Sequence, residues 1–208
     1  MDIRDCRSEY KKEVLNAVSE MFVSYTELKG QVKSIKCGKM SKNVYAAYQA
    51  PSRDESFGGH LILNTRQFSS PNLKKKLLDE SVYGLAVPNA SPKSIVMHEL
   101  GHGLQLGLCA NANNVTIGQI TDKTKHEKTV TDYMKCEYAK EIVESACAEC
   151  GVEFGSSKFK DELTHYAARS YGEALAEAVS EVGSSREPRI LARTICSRLR
   201  SYQFKGGD

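Results

Sequence analysis

Two histidines and a glutamate in the segment His98-Glu99-Leu100-Gly101-His102 have the spacing of a metal-binding motif. On a helix, residues i and i+4 lie on one face, so His98 and His102 can present both imidazoles to one ion. Glu99 points beside the ion, where it can take a proton from a water molecule that the metal activates. Zinc, held by two histidines next to such a glutamate, is suited to peptide hydrolysis. We therefore expect a zinc site on a helix, with Glu99 as its general base.

A catalytic zinc ion takes three protein ligands, and the third is not a nearby histidine. The longer three-histidine motif would need glycine at 105 and histidine at 108, where the chain has Gln105 and Leu108. His126 lies in a lysine-rich polar stretch, and His165 falls just before the next predicted helix, so both are weaker candidates. We expect the third ligand to be a downstream carboxylate.

The predicted helix that begins at Ser170 offers such carboxylates. Glu173, Glu177 and Glu181 recur on one face of it, and the alanines between them allow a second helix to pack closely. Ser170 and Glu173 also form a capping-box pattern, which would explain that glutamate without a metal. Spacing alone leaves Glu173 and Glu177 nearly equal as the third ligand.

Hydrophobic periodicity indicates the elements that must position these residues. The chain opens with an amphipathic helix, and Ser91 as N-cap before Pro92 starts the helix that carries the motif to about Leu108. The other predicted elements are strands Val32–Cys37, Val44–Tyr48 and His60–Asn64, a short surface helix Asn72–Glu80, a loop Ala110–Lys128, and helices Val130–Cys150, Ser170–Val182 and Pro188–Tyr202. We expect one α+β domain over residues 1–208.

Composition and charge limit the class of protein. The chain has 208 residues, is 40% hydrophobic and carries a net charge of +3. This balance does not indicate nucleic-acid or membrane binding, and the arginines near the C-terminus fit a solvated helix face better than a nucleic-acid site. The first residues are polar, and no apolar run follows that could span a bilayer. We expect a cytoplasmic protein, or one packed from the cytoplasm into a particle.

The cysteines do not indicate a second metal site. Seven of them lie at positions 6, 37, 109, 136, 147, 150 and 196. Without a secretory signal, reduced thiols are the expectation. Cys147 and Cys150 form a single CxxC, but no second pair completes a zinc-ribbon set. Two buried thiols on a helix are the better interpretation.

The residues downstream of the motif resemble a known family. Tyr166, then six residues, then the letters EALAEA from Glu173 to Ala178, resemble the pattern Tyr-x6-Glu-x-x-Ala-Glu-Ala. Paired with the upstream HExxH, this is similar to zincin metallopeptidases of the anthrax lethal-factor and Pro-Pro endopeptidase clan. It is also similar to peptidase-like domains of phage head-morphogenesis and minor-capsid proteins. The stretch Phe57–Asn64 resembles the strand before their active-site helix, so the likeness covers roughly residues 57–182.

The resemblance implies a role for each matching position. The zinc ligands would be His98, His102 and Glu173. Tyr166 would donate its hydroxyl to the developing oxyanion, and Glu177 would orient a ligand histidine. The resemblance therefore favours Glu173 over Glu177 as the third ligand.

The implied fold is zincin-like, with a small mixed sheet, an edge strand packed on the HExxH helix and several C-terminal helices. An edge strand can hold an extended peptide by main-chain hydrogen bonds, and Gly59, His60 and Leu61 would bind the substrate in this way. An ordinary core strand explains the same residues equally well. The interval between the motif and Glu173 is longer than in the compact secreted members. The additional residues lie mainly in Ala110–Lys128, and this segment is a candidate lid or docking surface.

Two functions follow from these predictions. The first is a zinc-dependent endopeptidase that cleaves an extended polypeptide segment. The second is a zinc-binding structural protein, with phage virion or assembly proteins as partners, that keeps the fold with weak or no turnover. The presence of both Glu99 and Tyr166 favours catalysis.

Overall fold

The computed structural model of the chain describes residues 1–26, 28–52, 58–115 and 122–203. The predicted α+β class is confirmed, since the described residues form helices and a small mixed sheet. In chain order, the elements are α1 (Ser8–Ser24), α2 (Leu28–Gln31), β1 (Val32–Gly38), β2 (Ala46–Gln49), β3 (Gly59–Asn64), α3 (Thr65–Phe68), α4 (Leu73–Val82), α5 (Pro92–Ala112), α6 (Lys123–Met134), α7 (Glu137–Glu149), α8 (Ser157–Glu162), a 3-10 helix (Ala167–Arg169), α9 (Tyr171–Ser184) and α10 (Ile190–Gln203). No described helix has the length and apolarity needed to cross a bilayer.

The helix α5, which carries the HExxH motif, lies at the centre of the domain. As predicted, Ser91 is its N-cap and Pro92 its first residue, and Ser91 and Ser94 form a reciprocal cap. Most of its 21 residues are buried, as expected for a helix that is apolar on all sides. The elements α1, α2, β2, α6, α7 and α9 all contact it. The motif therefore lies inside the protein rather than on an exposed helix face.

Two helices, α5 and α9, approach each other very closely. A Cβ built on Gly101 would lie 2.8 Å from the Cα of Ala176. Ser180 Oγ, one turn further along α9, donates a hydrogen bond of 2.8 Å to the Ser94 carbonyl. The small residues expected to allow close packing thus lie at the contact, and they bring the first turn of α9 alongside the two histidines.

The sheet corrects one prediction about the substrate edge. Among the described residues, three strands lie in the order β1-β3-β2, with β1 parallel and β2 antiparallel to β3. The strand expected at the edge, which contains Gly59, His60 and Leu61, is β3, and it is paired on both sides. Alternating hydrophobicity identifies a segment as a strand but carries no information on which strands are its neighbours. The edge strand that contacts α5 is β2.

The predicted loop Ala110–Lys128 is wrong at both ends. Helix α5 continues to Ala112, and α6 begins at Lys123, where Asp122 caps it by accepting two backbone N–H bonds. Part of the polar composition that suggested a loop belongs to the exposed face of α6.

Residues 116–121, and Phe57 of the stretch that suggested a family strand, lie outside the described residues.

The predicted single helix Val130–Cys150 is divided into α6 and α7. The break falls at Cys136, whose φ of 55° is left-handed and cannot continue a helix. No glycine or proline marks this turn in the sequence. The turn packs tightly against α9, because a Cβ on Gly172 would lie 3.1 Å from the Cys136 Sγ. Tertiary packing therefore imposes a break that local propensity does not predict.

Substitution of Gly101 should separate packing from helix propensity. Alanine improves helix propensity by about 1 kcal/mol, but at 101 its Cβ would overlap the α9 backbone. Such overpacking costs roughly 1–3 kcal/mol. The matched control is Gly107→Ala on the same helix, where the nearest atoms, from Gln31, lie 3.4 Å from the new Cβ. In urea unfolding we expect Gly101→Ala to be less stable than Gly107→Ala, and equal stabilities would contradict the close contact.

Candidate metal centre

Three side chains from two helices converge beside the α5–α9 contact. His98 and His102 extend from one face of α5, and Glu173 extends from the first turn of α9. The carboxylate oxygen Oε2 of Glu173 lies 3.1 Å from His98 Nε2 and 3.5 Å from His102 Nε2. The three side chains are 13%, 16% and 23% exposed, so the cluster is largely shielded but reachable from solvent. This group could bind a metal ion.

The alternative explanation of Glu173 as a capping residue is only half correct. Ser170 Oγ accepts the Glu173 backbone N–H at 3.1 Å and so caps α9. The Glu173 carboxylate, however, points to the imidazoles. The cap thus fixes the start of the helix, and the side chain stays available as a ligand.

A fourth residue, Glu177, sets the orientation of the first histidine. Its Oε1 lies 2.8 Å from His98 Nδ1. A neutral imidazole that donates through Nδ1 presents a lone pair at Nε2, and Nε2 is the atom that faces Glu173. The structure therefore gives Glu177 the geometry of an orienting residue and places Glu173, with both histidines, in the group that could bind a metal ion.

The spacing of the donor atoms fits a metal ion. When His98 is neutral and donates to Glu177, its Nε2 and the Glu173 oxygen are both acceptors, so either a metal ion or a proton on Nε2 must lie between them. Glu173 Oε2 is buried and accepts no hydrogen bond of regular geometry from a described residue. Zinc bonds of about 2.0–2.1 Å in a tetrahedron place neighbouring ligand atoms about 3.3 Å apart. The two separations of 3.1 and 3.5 Å lie on either side of that value.

The electrostatics of the cluster also favour a cation. Burial disfavours a charged His98, but the carboxylates of Glu173 and Glu177 outweigh burial and raise the pKa of His98 well above its ordinary value. Burial likewise disfavours a charged Glu173, yet the imidazoles of His102 and His98 hold its pKa well below the usual range. The site therefore stabilises positive charge between these side chains, whether a proton or a metal supplies it.

Glu99 is held by the edge strand. Glu99 is buried, with the residue 9% exposed, and with His98 it lines a cleft beside the cluster. Its Oε2 accepts the Tyr48 backbone N–H at 2.6 Å. Tyr48 belongs to β2, so the strand that borders the cleft also fixes the candidate base. A backbone donor has no signature in the sequence, and sequence reasoning missed this contact.

Tyr166 also lies at the cluster. Its ring contacts the His98 ring edge to face, with centroids 5.8 Å apart. Burial, followed by the negative charge of Glu173, raises the pKa of Tyr166, so its hydroxyl stays a neutral donor. The Arg169 guanidinium stacks over the tyrosine ring at 4.4 Å. The resemblance pointed to this tyrosine; the structure places its ring against His98, and its role as a donor stays a prediction.

The cluster borders a cleft of about 500 Å³. Ala46 of β2, His98, Glu99 and Tyr166 line one side of it. Other lining residues are mostly apolar and come from α4 and the segment before α5, and they include Leu77, Leu85, Ala86 and Val87. The metal cluster thus has a neighbouring space that could take a polypeptide segment.

The residues expected to bind substrate do not border this cleft. Leu61 is fully buried in the core. His60 Nδ1 lies 2.7 Å from Ser34 Oγ of β1, and Gly59 packs under the Tyr48 ring. These contacts match the alternative of an ordinary core strand, and the structure does not bring these three residues to the cleft.

The weaker ligand candidates also lie elsewhere. Of the described residues, neither His126, buried on α6, nor His165, exposed before the 3-10 helix, belongs to a metal-binding group. Cys147 is buried on α7, where burial raises the pKa of its thiol to about 11. The Cys150 Sγ contacts Thr194 Oγ1 at 3.5 Å. Cys147 is thus a buried helix thiol as interpreted, whereas Cys150 is only half-buried at the C-cap of α7.

Comparisons with known proteins add no relative to this description. No family model, curated protein or solved structure matches the chain. The family resemblance therefore stays a prediction from the motifs, and a function must be argued from the geometry of the site.

Metal binding provides a direct test of the cluster. We expect the purified chain to bind about one zinc ion, and His102→Gln to lose it because one of three ligands is removed. His165→Gln is the matched control, since His165 lies outside the cluster. Metal analysis after gel filtration gives the stoichiometry. Equal metal content in the two variants would exclude the His98, His102 and Glu173 site.

Metal-free and zinc-loaded protein should respond oppositely to pH. Because the folded pKa of His98 is raised, its protonation stabilises the metal-free fold fully below about pH 6.5, the unfolded value, and this contribution is lost as pH rises through the folded pKa. Zinc requires deprotonated imidazoles, so its stabilisation grows over the same interval. We expect the Tm difference between zinc-loaded and chelator-treated protein to increase from about pH 5.5 to 8. A difference that shrinks would contradict the assignment.

Proposed function

We propose that this protein is a zinc-dependent endopeptidase with a zincin-like fold, which cleaves an extended polypeptide segment in the cleft beside α5. The observation that carries this proposal is the convergence of His98, His102 and Glu173 with Glu99 on the cleft side. Two imidazoles and one carboxylate make a nitrogen and oxygen donor set that suits zinc. Three protein ligands leave a coordination position free, as hydrolytic sites require and closed structural sites do not.

Each residue around the cluster has a chemical task in this proposal. A bound zinc ion supplies Lewis acidity, which lowers the pKa of an attacking water and polarises the scissile carbonyl. Glu99 takes the proton from that water and passes it to the leaving amine. The Tyr48 N–H holds Glu99 in place for both steps. The neutral Tyr166 hydroxyl donates a hydrogen bond to the oxygen of the scissile carbonyl, which gains negative charge.

The edge strand β2 supports an extended substrate. In an antiparallel pair, alternate residues turn their N–H and C=O groups away from the partner strand. The Tyr45 carbonyl bonds to Asn64 of β3, whereas the Tyr48 N–H faces Glu99. The backbone groups of Ala46, between them, therefore face the cleft. A peptide segment pairing there would add a strand to the sheet and pass beside the metal cluster.

A glutamine at position 99 separates metal binding from catalysis. We expect Glu99→Gln to keep zinc and to lower peptide-library cleavage by about a hundredfold or more, because the amide cannot accept the proton. Glu153→Gln is the matched control, as Glu153 is exposed and lies outside the cleft. Fluorogenic peptide pools and metal analysis give the two readouts. Undiminished cleavage by Glu99→Gln would refute the base assignment.

The wild type in the same assay distinguishes the second candidate function. Zinc binding without any cleavage of the peptide pools would favour a structural or assembly protein that keeps the metal site for its shape. Cleavage that depends on both zinc and Glu99 would favour the endopeptidase.

A further inference from the structure

One positive charge at the cleft does not take part in the proposed chemistry. Arg169, at the end of the 3-10 helix, is exposed and lines the cleft. Its guanidinium stacks on the Tyr166 ring at 4.4 Å. It lies within ion-pair distance of no carboxylate of the described residues, whereas Arg189 and Arg198 are each paired with a glutamate. A guanidinium that lines a cleft and has no acidic partner in the protein can bind a carboxylate of a ligand.

The acidic residues that line the cleft are already engaged. Glu99 accepts the Tyr48 N–H, and Glu177 pairs with His98. Glu80 of α4 accepts a hydrogen bond of 2.6 Å from the Tyr45 hydroxyl. None of these contacts involves Arg169, so the charge at the rim is not neutralised by the cleft itself.

We propose that the substrate carries an aspartate or glutamate near its scissile bond and that Arg169 binds this carboxylate. This inference rests on the proposed endopeptidase function and specifies its substrate class. The planar guanidinium can bind a carboxylate through two parallel hydrogen bonds. Stacking on Tyr166 restricts the arginine side chain before the ligand arrives, which reduces the entropy lost on binding.

The position of Arg169 limits where the acidic residue lies. Tyr166 contacts both Arg169 and the ring of His98. Only the Tyr166 ring would therefore separate a carboxylate bound to the guanidinium from His98. The selected position is accordingly one that flanks the scissile bond rather than one remote from it.

A purely positioning role for Arg169 predicts a different result. If the guanidinium only orients Tyr166, its loss would slow the cleavage of every peptide by a similar factor and leave binding preferences unchanged. If it recognises a carboxylate, its charge would set the ratio of affinities for acidic and neutral peptides. The ratio between peptides thus separates the two roles.

Binding can be measured without turnover. The zinc-loaded Glu99→Gln protein is titrated into dye-labelled peptide pools that differ only in glutamate, glutamine or lysine at one position. We expect the best glutamate pool to bind about fivefold more tightly than its glutamine counterpart, as for a partly exposed ion pair. The preference should weaken between about 50 and 300 mM salt because of screening.

Charge reversal decides the proposal. When Arg169→Glu is added to the Glu99→Gln protein, we expect the lysine pool to bind more tightly than the glutamate pool. Arg169→Lys should keep much of the preference for the glutamate pool. Arg193→Glu is the matched control, since Arg193 is exposed on α10 outside the cleft. An unchanged ratio in Arg169→Glu, or the absence of peptide binding, overturns the inference. A wild type that binds acidic peptides selectively but cleaves none refutes the endopeptidase proposal and leaves only the carboxylate-binding role of Arg169.

Discussion

The candidate site depends on how closely α5 and α9 approach at Gly101 and Ala176. A single extra methyl group at Gly101 would meet the backbone of the other helix. Because the helices touch there, the first turn of α9 lies beside both histidines, and a short glutamate side chain can reach them. A wider spacing would leave three largely shielded polar side chains without the partner or ion that satisfies them. The packing of small residues is therefore the condition for the polar cluster.

Helix α9 uses its three glutamates for three different purposes. Glu173 faces both Nε2 atoms, and Glu177 orients His98 through Nδ1. Glu181 is fully buried and forms an ion pair with Arg189, which also donates its backbone N–H to the same carboxylate. That pair fastens the chain at the start of α10 to the end of α9. One helix thus provides a ligand, an orienting residue and an anchor.

The sequence predicts the local parts of this arrangement better than the long-range ones. Ser91 and Pro92 predicted the start of α5 because capping is a local interaction. The choice between Glu173 and Glu177 needed the contact between two helices, which spacing on one helix does not contain. The break at Cys136 and the central position of β3 also arise from tertiary packing. Strand order depends on which segments pair with each other, and the alternation of hydrophobic residues within one segment does not predict its neighbours.

The strand β2 links the candidate base to the candidate substrate edge. Tyr48 bonds Glu99 through its backbone, and Ala46, two residues earlier, turns its backbone groups to the same side. A slip of one residue in the β2–β3 register would turn Tyr48 towards β3 and remove the donor from Glu99. After the same slip, the neighbours of Ala46 would turn their backbone groups to the outer side of β2 in its place. The register of one short strand therefore sets both the position of the base and the line that a bound peptide would follow past it.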